Sequence, residues 1–282
     1  MINSQINEYI KLIRDRLNYY VKNCGASSKK LIESVLYSLL PGGKFLRSLL
    51  TLDFCNLCNG NIDAALPFAC SIEMIHTYSL IHDDLPCMDN DPIRRGKPSN
   101  HLANGEDFAV LSGDALFSLA IETLTLDTTV DILGTKKSIN AIKTLVSCCG
   151  ISGMVDGQAL EIEFKNVNSS VLFKDGFNLN EIYLKKTGKL FAAACELGCI
   201  AAGASKEKTN SSKIFGETIG IAYQILDDLE DKELSKESVE ISKGILDKLI
   251  KKAIDLLKIF DAVENSYAVY LTNELKIKAS RF

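Results

Sequence analysis

Asp83-Asp84-Leu-Pro-Cys-Met-Asp89 and Asp227-Asp228-Leu-Glu-Asp231 are two aspartate triplets about half a chain apart, each at the end of an apolar helical run. Oxygen-only ligands select a hard divalent ion, Mg²⁺ or Mn²⁺, over zinc. Mg²⁺ is typically held by a few carboxylates plus the phosphates of a substrate, so the implied substrate is a diphosphate. Asp227 and Asp231 lie four residues apart, which on a helix is about 40° around the axis and roughly 6 Å along it, so both can address one ion. Asp83 and Asp89 are six apart and do not stack on a regular helix. Pro86 resolves this, because the residue before a proline is pushed out of the helical region and the chain can turn, returning Asp89 toward Asp83. Acidic clusters at helix ends are also common as solvated charge. Both triplets, however, follow uncharged apolar sequence, Ser79-Leu-Ile-His and Ile221-Ala-Tyr-Gln-Ile-Leu, and carboxylates on buried helices need a counter-charge.

The counter-charges are present. Arg94-Arg95-Gly96-Lys97 follows the first triplet, Gly42-Gly43-Lys44-Phe-Leu-Arg47 precedes it, and Lys185-Lys186-Thr187-Gly188 sets a lysine beside a hydroxyl. Arginine offers a planar fork for phosphate and lysine a compact point charge. The glycines before Lys44 let the backbone approach an anion closely. Each cluster alone reads as solvated surface. Together with two acidic triplets they predict a cavity in which cations and anions are both prearranged. Gln158 and Gln224 sit inside apolar helical sequence and must find partners there. His76 lies about two turns before Asp83; His82 abuts the carboxylates but can equally support the helix.

The elements that would hold these residues are helical. Ile6, Ile10, Ile13 and Leu17 make the stripe of an opening helix. Helices are predicted over 31–40, 49–58, 64–85 and 108–123, the last three mostly apolar around and so buried. Others are predicted over 138–149, 150–163, 180–202, 211–231 and 241–260, with a loop over 164–178. Five prolines in 282 residues suit long helices. No linker, repeat or low-complexity tract divides the chain, which predicts one all-α domain over residues 1–282.

Lys plus Arg number 32 against 36 Asp plus Glu, a net charge of −4, so there is no basic excess to drive binding to nucleic acid. Nine cysteines without a secretory signal predict reduced thiols in a cytoplasmic protein. Cys55-x-x-Cys58 is at most half a zinc site, with no second half to complete it, and Cys195 and Cys199 read as core. No stretch reaches eighteen uninterrupted apolar residues, and no membrane span is expected.

The run from Ile72 to Pro98, through His76, Asp83, Asp84, Asp89, Arg94 and Arg95, resembles the first aspartate-rich region of the short-chain trans-polyprenyl diphosphate synthases, in the bacterial and plastid form with two extra residues inside the motif. Gly43-Lys44-x-x-Arg47, Gly113-Asp114, Gly157-Gln158, Lys186-Thr187-Gly188 and Tyr223-Gln224-x-x-Asp227-Asp228-x-x-Asp231 resemble its other blocks, in order. The resemblance implies an isoprenoid-synthase-type helical bundle around a central cavity. Asp83, Asp84, Asp89, Asp227, Asp228 and, less directly, Asp231 would hold Mg²⁺, three ions per site. Arg94, Lys186, Thr187 and Gln224 would address an allylic diphosphate, and Lys44, Arg47, His76 and Arg95 isopentenyl diphosphate. A homodimer is implied too. Tyr78, five before Asp83, would set the floor of the chain-length tunnel, which favours farnesyl diphosphate. Geranyl or geranylgeranyl synthesis, or a silent partner subunit, are the alternatives. A terpene cyclase would share the first motif but would not need the second diphosphate site. The chain departs from the family pattern at Ser48, Pro92 and Glu161, and where the family has a long basic loop after Asp231 this sequence runs directly into a lysine-rich helix: either the protein lacks the loop or this sequence omits it.

Overall fold

A computed structural model describes residues 2–167, 179–231, 236–261 and 266–282. Its α-helices are α1 (Ile2–Lys22), α2 (Lys29–Leu39), α3 (Leu46–Leu57), α4 (Ile62–Asp83), α5 (Asn100–Asn104), α6 (Glu106–Thr125), α7 (Asp127–Leu133), α8 (Thr135–Cys149), α9 (Met154–Val167), α10 (Leu179–Tyr183), α11 (Lys189–Ala202), α12 (Lys206–Asp231), α13 (Lys236–Leu257) and α14 (Tyr267–Ala279). The fold is all-α. Helices α3, α4, α11 and α12 pack on one another at its centre, with α6 against α4 and α13 against α12.

The expected helices are there, with two differences of kind. The run over 180–202 is interrupted by a π-helical turn at Leu184–Gly188 between α10 and α11. Helix α6 is not buried all round: Ala109, Ser112, Gly113, Leu116, Ala120 and Thr123 face inward at helical spacing, whereas Val110 is 42% and Leu111 50% exposed. Sequence reading missed α5, α7 and α14, which are short or weakly periodic, and the antiparallel pair β1 (Ile93–Arg94) and β2 (Lys97–Pro98). Both residues of the connecting turn, Arg95 and Gly96, have positive φ, the signature of the tight hairpin turn that matches strand twist. Of the loop expected over 164–178, the first residues continue α9 to Val167 and the rest lies outside the described residues, as does 232–235 after the second triplet. By length and composition α4, α6 and the stretch Thr135–Glu163 could each cross a membrane; in α4 most of that apolar surface is buried in the protein.

Asp53 ties α14 to the centre. Its two carboxylate oxygens accept the backbone N–H groups of Tyr267 and Ala268, each at 2.9 Å, capping the helix from inside the core. Burial outweighs those two hydrogen bonds and pushes the carboxyl up to about 6. A folded-state value above the unfolded one means the native protein holds a proton that the unfolded chain has lost. The stability this confers is present below about pH 4 and is lost as pH rises to about 6. The stability difference between wild type and Asp53→Asn should therefore shrink across that window, by roughly 2–3 kcal/mol. Denaturant titrations of both proteins from pH 4 to 7 check this; a flat difference would contradict it.

Candidate active site

One cavity of about 690 Å³ opens among α3, α4, α9, the π turn and α12. Its lining brings together Asp83 and Asp227 from the two triplets, Lys44, Arg47, His76, Arg94 and Arg95, and Lys186, Thr187, Gln158 and Gln224. Residues separated by up to 183 positions thus meet as the sequence predicts. The apolar part is formed by Tyr78, Met88, Met154, Val155, Ile162 and Leu190.

Helix α4 ends at Asp83, and the chain turns back so that the Asp89 N–H donates to the Asp83 carbonyl at 2.9 Å. This is the return expected from Pro86. Burial is the main cause that pushes the Asp83 carboxyl up to about 6; Lys186 opposes it, while Asp89 and Glu161 add to it. Asp84 does not face the cavity. Its carboxylate, 2% exposed as a residue, accepts from Arg94 Nη2 at 2.5 Å and Nε at 3.0 Å, and Arg94 also reaches Asp91 at 2.7 Å. In the second triplet the Tyr183 hydroxyl donates to Asp228 Oδ2, and Gln224 Nε2 lies 3.4 Å from Asp228 Oδ1. Gln224 in turn accepts from the Thr187 hydroxyl at 3.0 Å. The side chain of Asp231 lies outside the described residues.

The six expected metal carboxylates do not form an all-protein cage; among the described residues no three acidic, histidine or cysteine side chains gather as one would. The donor set nevertheless suits Mg²⁺. Asp83 and Asp227 are hard oxygen donors that line one cavity, which also carries cations suited to phosphate. The desolvated Asp83 carboxylate has charge that a cation would compensate.

The basic side of the cavity is built at the start of α3. Gly42 (φ 52°) and Phe45 (φ 52°) take left-handed conformations, and a side chain at Gly42 would strike the buried Phe45 ring. This fold of the chain exposes Lys44 and turns Arg47 inward. The Arg47 guanidinium stacks on Phe191, 4.3 Å from its ring centre, and its Nη1 is 3.3 Å from His76 Nε2. Arginine can only donate, so His76 accepts and carries its proton on Nδ1. Burial first, then Arg47, Arg95 and Arg94, hold the His76 imidazole well below its usual range, so it is neutral at pH 7. Burial also pulls Arg47 down to about 10, opposed by Glu73; it remains a cation. Among the described residues the buried Arg47 Nε has no hydrogen-bond partner. Arg95 donates to the Ser38 carbonyl at 3.1 Å. Ser48, one of the departures noted in the sequence, has its hydroxyl 2.7 Å from Glu73 Oε2 and 2.9 Å from the Ala69 carbonyl, so it anchors the buried glutamate that faces the arginines.

On the opposite side, Lys186 and Thr187 ride the π turn, a geometry that recurs at functional sites. Gly157 makes room for it: a Cβ there would sit 2.2 Å from the Lys186 backbone nitrogen. Gly220 meets Gly188 in the same way, at 2.6 Å. Lys186 Nζ is paired with Glu161, another departure, and Lys185 points away to Asp156 at 2.7 Å. His82 lines the cavity, but its Nε2 is 3.1 Å from the Val110 carbonyl and a Cβ at Gly113 would overlap its ring, so it fastens α4 to α6. Sequence reasoning missed Tyr183, which donates to Asp228, Glu73, which faces the arginines, and Tyr223, which lines the cavity with its ring 6.0 Å from that of Phe191. Tyr223 and Glu73 stand inside quoted motifs and could have been singled out as polar groups in apolar helices; Tyr183 carries no such signal.

The Polyprenyl synthetase family matches residues 28–262. The chain is 42% identical over 214 residues to heterodimeric geranylgeranyl pyrophosphate synthase large subunit 1, chloroplastic, of Arabidopsis thaliana; the match covers 76% of this chain and 57% of that protein, so the chain spans less than two thirds of its length. The fold is similar to that of an FPP/GFPP synthase from Zymomonas mobilis (TM-score 0.87, 34% identity, 99% of this chain and 98% of that one). It is equally similar to that of a geranyltransferase from Legionella pneumophila (TM-score 0.87, 31% identity, 100% and 98%). Both triplets, the three basic clusters and the shared cavity fall inside the matched segment, and the chain belongs to the polyprenyl synthetase family, among its short-chain trans-prenyl members.

Proposed function

We propose that the chain condenses isopentenyl diphosphate head-to-tail with an allylic diphosphate in a Mg²⁺-dependent prenyl transfer. The observation that carries this reading is the sharing of one partly apolar cavity by Asp83, Asp227 and two separate sets of cations. Asp83, Asp89, Asp227 and Asp228, with Asp84 if released from Arg94, would hold Mg²⁺, which supplies charge neutralisation to a departing diphosphate. Lys186 adds a point charge and Thr187 and Gln224 hydrogen bonds to that diphosphate; to bind it, Lys186 exchanges Glu161 for a phosphate oxygen. Lys44, Arg47 and Arg95 hold the second diphosphate. Neutral His76, its Nε2 already turned to Arg47, adds no charge of its own. Met154, Val155, Ile162 and Leu190 exclude water from the allylic cation, and the released diphosphate takes the proton lost on condensation.

Incubation with dimethylallyl and isopentenyl diphosphates plus Mg²⁺, followed by chromatography of the products, tests the reading; no prenyl product would end it. We favour the C15 product because the Tyr78 ring bounds the cavity. The C20 reading is favoured by the Arabidopsis relative, whose name makes it a geranylgeranyl synthase subunit.

The two-site assignment makes its own prediction. Lys44→Ala should raise KM mainly for isopentenyl diphosphate and Lys186→Ala mainly for the allylic substrate, each about tenfold or more, since each removes a charge from one site. Effects on the opposite substrates would show the sites exchanged.

The half-exposed Val110 and Leu111 on α6 suit a symmetric contact between two copies of the chain. A homodimer should appear by light scattering at micromolar concentration, and a monomer mass would contradict it.

A further inference from the structure

Helix α3 ends at the cap residue Cys58, and the last turns of α11 carry Cys195 and Cys199. The two elements pack closely, and the Cys58 and Cys199 sulfurs lie 3.8 Å apart. All nine cysteines are among the described residues, and no other pair of sulfurs is placed in such contact. Cys55 turns its thiol to the Asn61 carbonyl instead. A zinc site does not fit, because among the described residues no third ligand joins the pair. Cys199 is buried, whereas Cys58 is partly open to solvent, so one member can be reached from outside and the other is shielded.

We propose that Cys58 and Cys199 are a redox-active pair that closes to an intramolecular disulfide by exchange with a low-molecular-weight disulfide such as oxidised glutathione. The Cys58 thiolate attacks one sulfur of that disulfide; its S–S bond breaks and one glutathione leaves and takes up a proton. Cys199 then loses its proton to solvent and attacks the Cys58 sulfur, and the second glutathione leaves as a thiol. Two protein thiols are oxidised and one disulfide is reduced to two thiols. The environment favours this order of attack. The hydrogen bond from Cys199 and the nearby Lys208 ammonium hold Cys58 below the usual thiol range, and the same contact raises Cys199. A disulfide brings the sulfurs to about 2 Å, which side-chain rotation at two helix ends can supply. The bond would staple the far end of α3, whose first turn carries Arg47, to the far part of α11, which continues from the turn carrying Lys186 and Thr187.

The test equilibrates reduced protein with mixtures of reduced and oxidised glutathione, blocks free thiols with N-ethylmaleimide, and reads intact mass, peptide map and thermal midpoint. The expected result is a species that carries two fewer maleimide groups than the reduced protein and is lighter by two further hydrogens, a cross-link between the Cys58 and Cys199 peptides, and a midpoint raised by on the order of 5 °C, since the bond closes a loop of 141 residues. Dithiothreitol should reverse all three. Cys58→Ser and Cys199→Ser should abolish the cross-link, and Cys55→Ser should retain it. A glutathione adduct on Cys58 that never closes, a cross-link through Cys55, or nine alkylated thiols at every ratio would each overturn the proposal.

Discussion

Asp83→Ala and Asp227→Ala should each lower turnover by at least about 10³-fold, the scale on which loss of a charge-stabilising group acts on a reaction that develops charge. The two carboxylates stand on different helices and face one cavity, so neither can substitute for the other. Stability should move the other way at position 83. The buried Asp83 carboxyl titrates at about 6, above its unfolded value, so at pH 7 its ionised form weighs against the native state. Removing it should leave the metal-free thermal midpoint unchanged or raise it. Mg²⁺ plus inorganic diphosphate should raise the wild-type midpoint by binding only the folded state, and should raise that of either variant less. Near-normal turnover at saturating Mg²⁺ in either variant would sink the metal-cluster reading, whatever the midpoints do.

The parts of this site that were legible in the sequence are those in which residue type and local spacing already fix the geometry. Asp83 and Asp89 could be paired across Pro86 because a proline makes a turn whatever packs around it, and the backbone hydrogen bond between them follows. The basic clusters could be named because carboxylates carried on apolar helices need a counter-charge. Features set by tertiary packing were not legible. The split of α6 into a buried and an exposed face depends on what lies against it, and its sequence is apolar on both. The π turn under Lys186 exists because Gly157 and Gly220 allow two neighbours to press on the Lys186 and Gly188 backbone. No one-dimensional period marks that. The pairing of Asp84 with Arg94 and of Asp228 with Tyr183 likewise distinguishes members of a triplet that look equivalent in sequence.

The contact of Ser48 with Glu73 bears on a substitution that sequence comparison alone leaves as an oddity. Where the family usually has proline, this chain has a hydroxyl that holds the carboxylate facing Arg47 and Arg95. Glu161 is a second such case. Its carboxylate neutralises Lys186 in the free protein, so a diphosphate entering the site finds the ammonium already oriented. Both departures therefore sit behind a cation of the site, Glu161 in direct contact with Lys186 and Ser48 through Glu73, where a change of side chain can be absorbed without altering the groups that would touch substrate.

Tyr78→Ala should lengthen the product. Tyr78 lies on α4 five residues before Asp83, roughly 7.5 Å back along the helix, so an allylic tail anchored near Asp83 and running along α4 meets its ring. The ring is not free to swing aside. It packs edge-on against Phe117 of α6, 5.5 Å between centres, and against His82 at 5.7 Å, and His82 is itself held to the Val110 carbonyl. A close-packed wall of this kind yields only with strain, which is why chain growth should stop there. Removing the phenol opens the wall without touching a charged group, so kcat for the first condensation should stay within about threefold of wild type while the main product shifts from C15 to C20. The variant should lose roughly 2 kcal/mol of stability, less than a fully buried aromatic ring would cost. Chromatography of the products at excess isopentenyl diphosphate decides the matter. Wild-type protein that makes mainly C20 would show that the tail passes Tyr78, and an alanine variant with an unchanged product distribution would show that Phe117 or the helix ends beyond it form the true floor.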